Sequence, residues 1–228
     1  MEEKYFGKMN KKNYPIFIIF ACLFVLIFFP PASHSEPLNK IIQGLETYLN
    51  TSNDFAATFV QESELKSFNE KQIAEGKVYF MKPGKMKWEY QKPELQTIVV
   101  NNKKVWIYSP EENQVIETKI DALGAVAIYD LFLSDKINLM KLFRVSVIKE
   151  KPKNKELFLE LFPKNNEVNI KKIILKLKRT HYQIKSFIIH DKMENITAIA
   201  FSDIQINKGL NTSTFDFKIP EGVELIVP

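Results

Sequence analysis

GKVYFMKPGKMKWEYQKPELQTIVVNNKKVWIYSPEENQV, residues Gly76 to Val115, is the stretch that decides the fold. Turn formers divide it at short intervals: Lys82-Pro83-Gly84, Lys92-Pro93, Asn101-Asn102 and Ser109-Pro110. Between them, apolar and charged residues alternate. In Lys85–Gln91, Met86, Trp88 and Tyr90 fall on one face and Lys85, Lys87 and Glu89 on the other, the period of a strand with one buried and one wet face. Asn101-Asn102 suits a tight turn because asparagine tolerates positive φ. Tyr79, Trp88, Tyr90, Trp106 and Tyr108 recur at strand spacing, and both tryptophans of the chain lie here. A sheet dense in aromatics and poor in reactive groups is suited to hold an apolar ligand.

The same period extends outward on both sides. Upstream, Asp54–Glu64 carries Phe55, Ala57, Phe59 and Gln61 on one face, and Ala74–Lys82 follows a loop at Ser67–Glu70. Gln96–Asn101, Lys104–Ser109 and Gln114–Thr118 continue the pattern. Downstream, strands are expected at Arg144–Lys149, Leu157–Phe162, Asn169–Arg179, Gln183–His190 and Ile196–Ile206. Two segments break the rule. Leu38, Ile41, Ile42, Leu45, Tyr48 and Leu49 form one apolar stripe at helical spacing, so Leu38–Asn50 reads as an amphipathic helix after Pro37. Asp121–Ser134 is apolar nearly all round and reads as a second helix, with Asp121 as its cap; a short third helix is expected over Lys136–Leu142. The sum is a mainly β domain of ten or eleven strands, antiparallel because most connections are hairpin-like. A sheet of that size with one apolar face must curl, and curled apolar sheets enclose ligand cavities.

The N-terminus reads as an export signal. Lys4, Lys8, Lys11 and Lys12 precede an apolar run from Ile16 to Phe29, which is 14 residues long. A membrane span needs about 20. Pro30-Pro31 and the small Ser33 and Ser35 then suit cleavage before Glu36. Residues 1–35 are therefore expected to be a signal peptide and 36–228 a single domain. The chain has 32 basic and 27 acidic residues; with the leader go four lysines and two glutamates, which leaves 28 against 25, a net charge of +3. That small, dispersed charge does not suit a nucleic-acid partner. The single cysteine, Cys22, leaves with the leader, so the exported part has no disulfide, thiol nucleophile or thiolate metal site.

Catalytic patterns are scarce. His181 and His190 lie on neighbouring strands without a surrounding carboxylate cluster. There is no Gly-x-Ser-x-Gly elbow, and seven glycines in the whole chain leave no phosphate-binding loop. No enzyme activity, cofactor or metal is expected.

Several motifs in order resemble the LolA family of periplasmic lipoprotein carriers. They are Phe55-x-x-x-Phe59-x-Gln61, then Gly76-x-x-x-Phe80-x-Lys82-Pro83-Gly84-x-Met86-x-Trp88-x-Tyr90-x-x-Pro93, then Trp106-x-Tyr108-x-Pro110-x-x-x-Gln114-Val115, and finally Phe217-x-x-Pro220-x-Gly222-Val223. The resemblance implies an unclosed antiparallel β-barrel, a half-barrel, capped by an α lid. It implies a monomeric periplasmic carrier that takes triacylated lipoproteins from a LolCDE-type ABC exporter and passes them to a LolB-type outer-membrane receptor. On this reading the acyl chains lie against Phe55, Phe59, Met86, Trp88 and Tyr90 from the sheet, with Ile128 and Phe132 from a lid made of the Asp121–Ser134 and Leu38–Asn50 helices. Where the family often has Arg-Pro, this chain has Lys82-Pro83. The family's arginine is implied to hydrogen-bond the closed lid, so Lys82 is the candidate latch, with the charge kept and the planar fork lost. Met86 stands where an aromatic is common, and a flexible thioether suits varied lipid.

Two alternatives share the fold. One is a LolB-like outer-membrane receptor, itself lipidated at Cys22. The other is a sensing module that binds lipid or peptide without carrying it. Core and cavity lining have the same composition, so the sequence does not separate them.

Overall fold

The computed structural model describes residues 36–66, 70–122, 126–151, 155–165 and 169–228. The expected signal peptide and Cys22 lie outside the described residues, as does most of the Ser67–Glu70 loop. Helix α1 (Leu38–Thr51) leads into β1 (Asp54–Leu65), β2 (Glu70–Met81), β3 (Lys85–Lys92), β4 (Gln96–Asn101), β5 (Lys104–Ser109) and β6 (Gln114–Lys119). Helices α2 (Val126–Leu133) and α3 (Leu139–Leu142) follow. Strands β7 (Phe143–Lys151), β8 (Glu156–Pro163), β9 (Ile170–Lys178), β10 (Gln183–Asp191), β11 (Ile196–Ile206) and β12 (Glu224–Ile226) complete the order.

All twelve strands form one sheet, in the order β12-β6-β5-β4-β3-β2-β1-β11-β10-β9-β8-β7. Among the described residues the ends of that order, β12 and β7, have no pairing with each other, so the barrel is unclosed. The count exceeds the expected ten or eleven because of β12, and β12 runs parallel to β6 rather than antiparallel. Glu224–Ile226 is only three residues long, and its register with Gln114–Ile116 comes from a distant part of the chain. Local alternation carries no signal for such a strand. The Asn-Asn turn is shifted by one: Asn102 (φ 48°) and Lys103 (φ 73°) make the turn, while Asn101 still pairs with Lys104. Asp121 lies in the turn that follows β6 and does not cap a helix, since the described part of α2 starts at Val126.

Alternation places the buried side chains on the concave face. Phe59, Val78 and Trp88 from β1–β3 join Leu157, Leu159, Leu161, Ile173, Leu175, Leu177 and Phe187 from β8–β10. Burial of each such side chain contributes about 1.5–3 kcal/mol. Helix α1 lies on this face through Ile41, Ile42, Leu45 and Leu49. Gly44 is dictated by contact: a Cβ there would sit 2.1 Å from Cε2 of Tyr182, whose ring lies against the helix.

The outer face has its own cover. After β11 the chain forms a 3-10 turn, Thr212–Phe215, that packs on β3 and β4 with Phe215 fully buried. Phe217 then lies 5.9 Å from Trp106 and 6.2 Å from Tyr108, centroid to centroid. Trp106 Nε1 donates to Glu117 (2.9 Å), which also pairs with Lys104 (2.7 Å). The aromatics of the opening stretch are thus divided: Trp88 and Tyr90 face the concave side, while Trp106 and Tyr108 pin the C-terminal segment outside. One period-2 sequence served two cores.

Candidate functional site

The concave face is a continuous aromatic surface. Phe59 meets Trp88 at 4.7 Å and Tyr90 at 5.1 Å, both edge-on. Phe55 stacks on Phe80 at 5.4 Å and meets Phe201 edge-on at 5.4 Å. From α2, Phe132 inserts between Phe80 and Phe187, 5.6 Å from each. Such pairs add about 0.5–1.5 kcal/mol each beyond the area they bury. Of the expected cavity residues, Phe59 and Trp88 are buried in the core, and Phe55, Met86, Tyr90, Ile128 and Phe132 are half-buried against it. Met86 and Tyr129 also border a smaller cluster of Val100, Val105 and Ile120.

A cavity remains between α1, α2 and the sheet, lined by Tyr48, Leu49, Ser52, Asn53, Asp54, Phe55, Phe80, Lys82, Phe132, Ile184 and Phe201. Its volume is about 30 Å³, the share of one water molecule. Side chains of the two helices fill the rest. Phe55, Phe132 and Lys82 of the expected set border this space directly; Phe59, Trp88 and Tyr90 lie further along the sheet. Sequence reading missed Phe80, Phe201 and Ile184 as lining residues. Strand parity marks them as inward-facing, but only the pairing of β1 with β11, far apart in the chain, sets β2, β1, β11 and β10 side by side around one space.

The turn Lys82-Pro83-Gly84 touches both helices. Lys82 Nζ donates to the carbonyl of Leu49 in the last turn of α1 (2.5 Å), and the Gly84 N–H donates to the carbonyl of Leu133 at the end of α2 (3.0 Å). Gly84 has φ +69°, and a Cβ there would lie 2.8 Å from the Tyr129 hydroxyl of α2, so the turn needs glycine on both counts. Burial pushes the Lys82 ammonium down to about 8, partly opposed by nearby Asp135. Burial also pushes the phenols of Tyr48 and Tyr90 up to about 12; Tyr90 donates to Gln61 Oε1 at 3.0 Å. On α2, burial raises the Asp130 carboxyl above its usual range.

Helix α1 is fixed at both ends. Glu36 pairs with Lys40 (3.1 Å) and Arg179 (3.6 Å) and accepts from Tyr182 Oη (3.1 Å). Beyond its other end, Asn207 accepts from the Asn53 N–H (2.7 Å) and donates to the carbonyl of Thr51 (2.8 Å). The buried Asp54 carboxylate accepts from the backbone N–H groups of Lys208 (2.8 Å) and Gly209 (2.9 Å). From α1, Asn50 bonds both polar groups of the Ile137 backbone, and Glu46 accepts from the Leu139 N–H (2.7 Å). The segment that leaves α2 is thereby tied to α1.

His181 sits exposed in the β9–β10 turn, and His190 lies on the outside of β10, where burial and Lys172 lower its pKa. Among the described residues no group of three or more His, Cys, Asp or Glu is placed to hold a metal ion.

A half-barrel whose apolar concave face is plugged by helices defines a class of proteins that enclose apolar ligands. The family described as outer membrane lipoprotein carrier protein LolA matches residues 50–218, and the chain belongs to that family. The outer-membrane lipoprotein carrier protein of Nitrosomonas europaea is 31% identical over 186 residues, which cover 81% of this chain and 88% of that protein. The one from Nitrosospira multiformis is 28% identical over 206 residues, 90% of this chain and 96% of its own length. Among solved structures, an uncharacterized conserved protein of Thermus thermophilus shares the fold, with a TM-score of 0.53 at 13% identity, covering 83% of this chain and 98% of that one.

Proposed function

We propose that this chain is a periplasmic, non-enzymatic carrier that shields the acyl chains of lipoproteins on its concave face. Residues 1–35 serve as the signal peptide that exports it, and the mature protein works as a monomer. It receives triacylated lipoproteins from a LolCDE-type ABC exporter and delivers them to a LolB-type receptor. The observation that carries this reading is the plug itself: Phe132 of a largely apolar helix occupies the space between Phe80 and Phe187.

Free energy explains why a plug is useful. Each methylene taken out of water is worth about 0.8 kcal/mol, so one long acyl chain contributes on the order of 10 kcal/mol. A preformed cavity offering all of that would never release its cargo. A cavity of about 30 Å³ offers no room until helix side chains leave. Lifting α2 costs the aromatic contacts of Phe132, and that cost is subtracted from cargo affinity. Helix α1, fixed at both ends, stays on the sheet; α2 pivots about the segment between Leu133 and the Asn50–Ile137 bonds. Lys82, the expected latch, holds the helix that stays, and the Gly84 N–H bond to the Leu133 carbonyl is the one that α2 breaks when it lifts. Phe55, Phe59, Met86, Trp88 and Tyr90 then face the acyl chains from the sheet, and Ile128 and Phe132 from the displaced helix.

Mass spectrometry of the protein purified from periplasm tests the reading. The mature chain should begin at Glu36 and co-purify one to one with acylated polypeptides. Finding only free lipid, or nothing under any loading condition, would sink the proposal.

A further inference from the structure

The wall of the cavity is divided by chemistry. Leu49, Phe55, Phe80, Phe132, Ile184 and Phe201 make most of it apolar, while Ser52, Asn53, Asp54 and Lys82 supply its polar part. Most of the polar side already has partners within the chain. Both Asp54 oxygens accept backbone N–H groups, the Ser52 hydroxyl donates to the Tyr48 carbonyl, and the Asn53 backbone is bonded to Asn207 and Lys82. Lys82 is different in kind. An ammonium carries three donors, and the Leu49 carbonyl takes one of them.

We propose that Lys82 is the polar anchor of the cargo site: held in place by the Leu49 carbonyl, its ammonium donates to the ester or amide carbonyl oxygens at the head of the bound acyl chains. This rests on the carrier reading above and adds the chemistry the site selects. An acyl chain lying along the phenylalanines and ending at the polar wall brings its carbonyl to the ammonium. Carbonyl oxygens of acyl esters are acceptors without protons, so they need a donor there, and carboxylates such as Asp54 have none to give. The Leu49 carbonyl belongs to α1, which is fixed at both ends, so the ammonium stays oriented when α2 moves away. The charged groups around it are Asp54, which lines the same cavity, and Asp135, whose charge acts on the ammonium. The anchor explains why a cation sits beside an aromatic cavity at all, since its burial works against its charge.

The test compares two synthetic probes that differ in one group: an S-diacylglyceryl-cysteine peptide, and its dialkyl ether analogue, in which CH₂ replaces each ester carbonyl. A hydrogen bond from a charged donor predicts at least about tenfold tighter binding of the ester by the full mature protein. In Lys82→Met the ester-to-ether ratio should fall to about one, and Lys82→Arg should restore most of it. A ratio of one in the wild-type protein overturns the anchor, and this measurement needs no variant to fold. A ratio unchanged in Lys82→Met overturns it as well. Equal binding of both probes leaves the carrier reading standing without the anchor; binding of neither probe removes both.

Discussion

Helices α1 and α2 both bury apolar side chains on the same concave face, yet among the described residues side-chain polar bonds fix only α1 at both ends. α1 is amphipathic, and polar bonds fix it at both ends: Glu36 with Arg179 and Tyr182 at one, Asn207 and Lys82 at the other. α2 reads VAIYDLFL, with Asp130 as its one ionisable carboxylate, and it is held by Leu131, Phe132 and Leu133 and by the Gly84 N–H. Polar bonds are directional and cannot be replaced by lipid. Apolar contacts are non-directional, and an acyl chain substitutes for them at little net cost. On the proposed mechanism the two helices divide the work of a lid: one is part of the wall, and the other is exchanged for cargo.

The comparison predicts that changes in α2 alter cargo affinity, while changes around α1 alter stability. The largest effect is expected for Phe132→Glu. With cargo bound, residue 132 faces the acyl chains, and an unpaired carboxylate among them costs several kcal/mol, more than the lost plug contacts return (about 0.5–1.5 kcal/mol each), so acylated-peptide affinity should fall by about 100-fold. Isothermal titration with an acylated peptide checks it, and retained affinity would break the assignment of α2 as the exchanged helix. Next comes Asp54→Ala, which leaves the N–H groups of Lys208 and Gly209 without their acceptor. A loss of about 2–3 kcal/mol is expected in urea unfolding. Gly44→Ala forces the Tyr182 ring off α1 and should cost about 1–2 kcal/mol, read as a fall in Tm of about 2–4 °C per kcal/mol.

The smallest effect concerns Lys82 and pH. Its pKa lies near 8 in the folded chain, below the ordinary value of 10.5. The folded state therefore binds its proton less well than the unfolded state. The penalty is present in full below pH 8, and stability rises as pH increases from 8 to 10.5. Lys82 is half-buried, so solvent screening reduces the gain to about 1 kcal/mol or less. Thermal unfolding of wild-type protein should gain over that window relative to Lys82→Arg, whose guanidinium stays charged. A flat difference between the two would show that the ammonium is not desolvated by α1.

Much of this arrangement was legible in the chain. The alternation of Met86, Trp88 and Tyr90 against Lys85, Lys87 and Glu89 gave β3 and its inward face, because a strand's side chains must alternate. The stripe from Leu38 to Leu49 gave α1 for the equivalent reason at helical period. Turn chemistry at Lys82-Pro83-Gly84 located the loop that touches both helices. Other features had no local signal. Trp106 and Tyr108 alternate like Trp88 and Tyr90 but face outward onto Phe217, since periodicity separates two faces without saying which one is enclosed.

The sequence by itself determined the strands other than β12, the two covering helices, the family and the cation at position 82, because each is carried by short patterns of neighbouring residues. Only the tertiary structure decided that Phe80, Phe201 and Ile184 share one cavity with Phe132. It also decided that β12 joins β6 in parallel, and that Lys82 reaches α1 while Gly84 reaches α2. Those outcomes depend on the strand order of the sheet and on contacts between residues far apart in the chain, which no local pattern encodes.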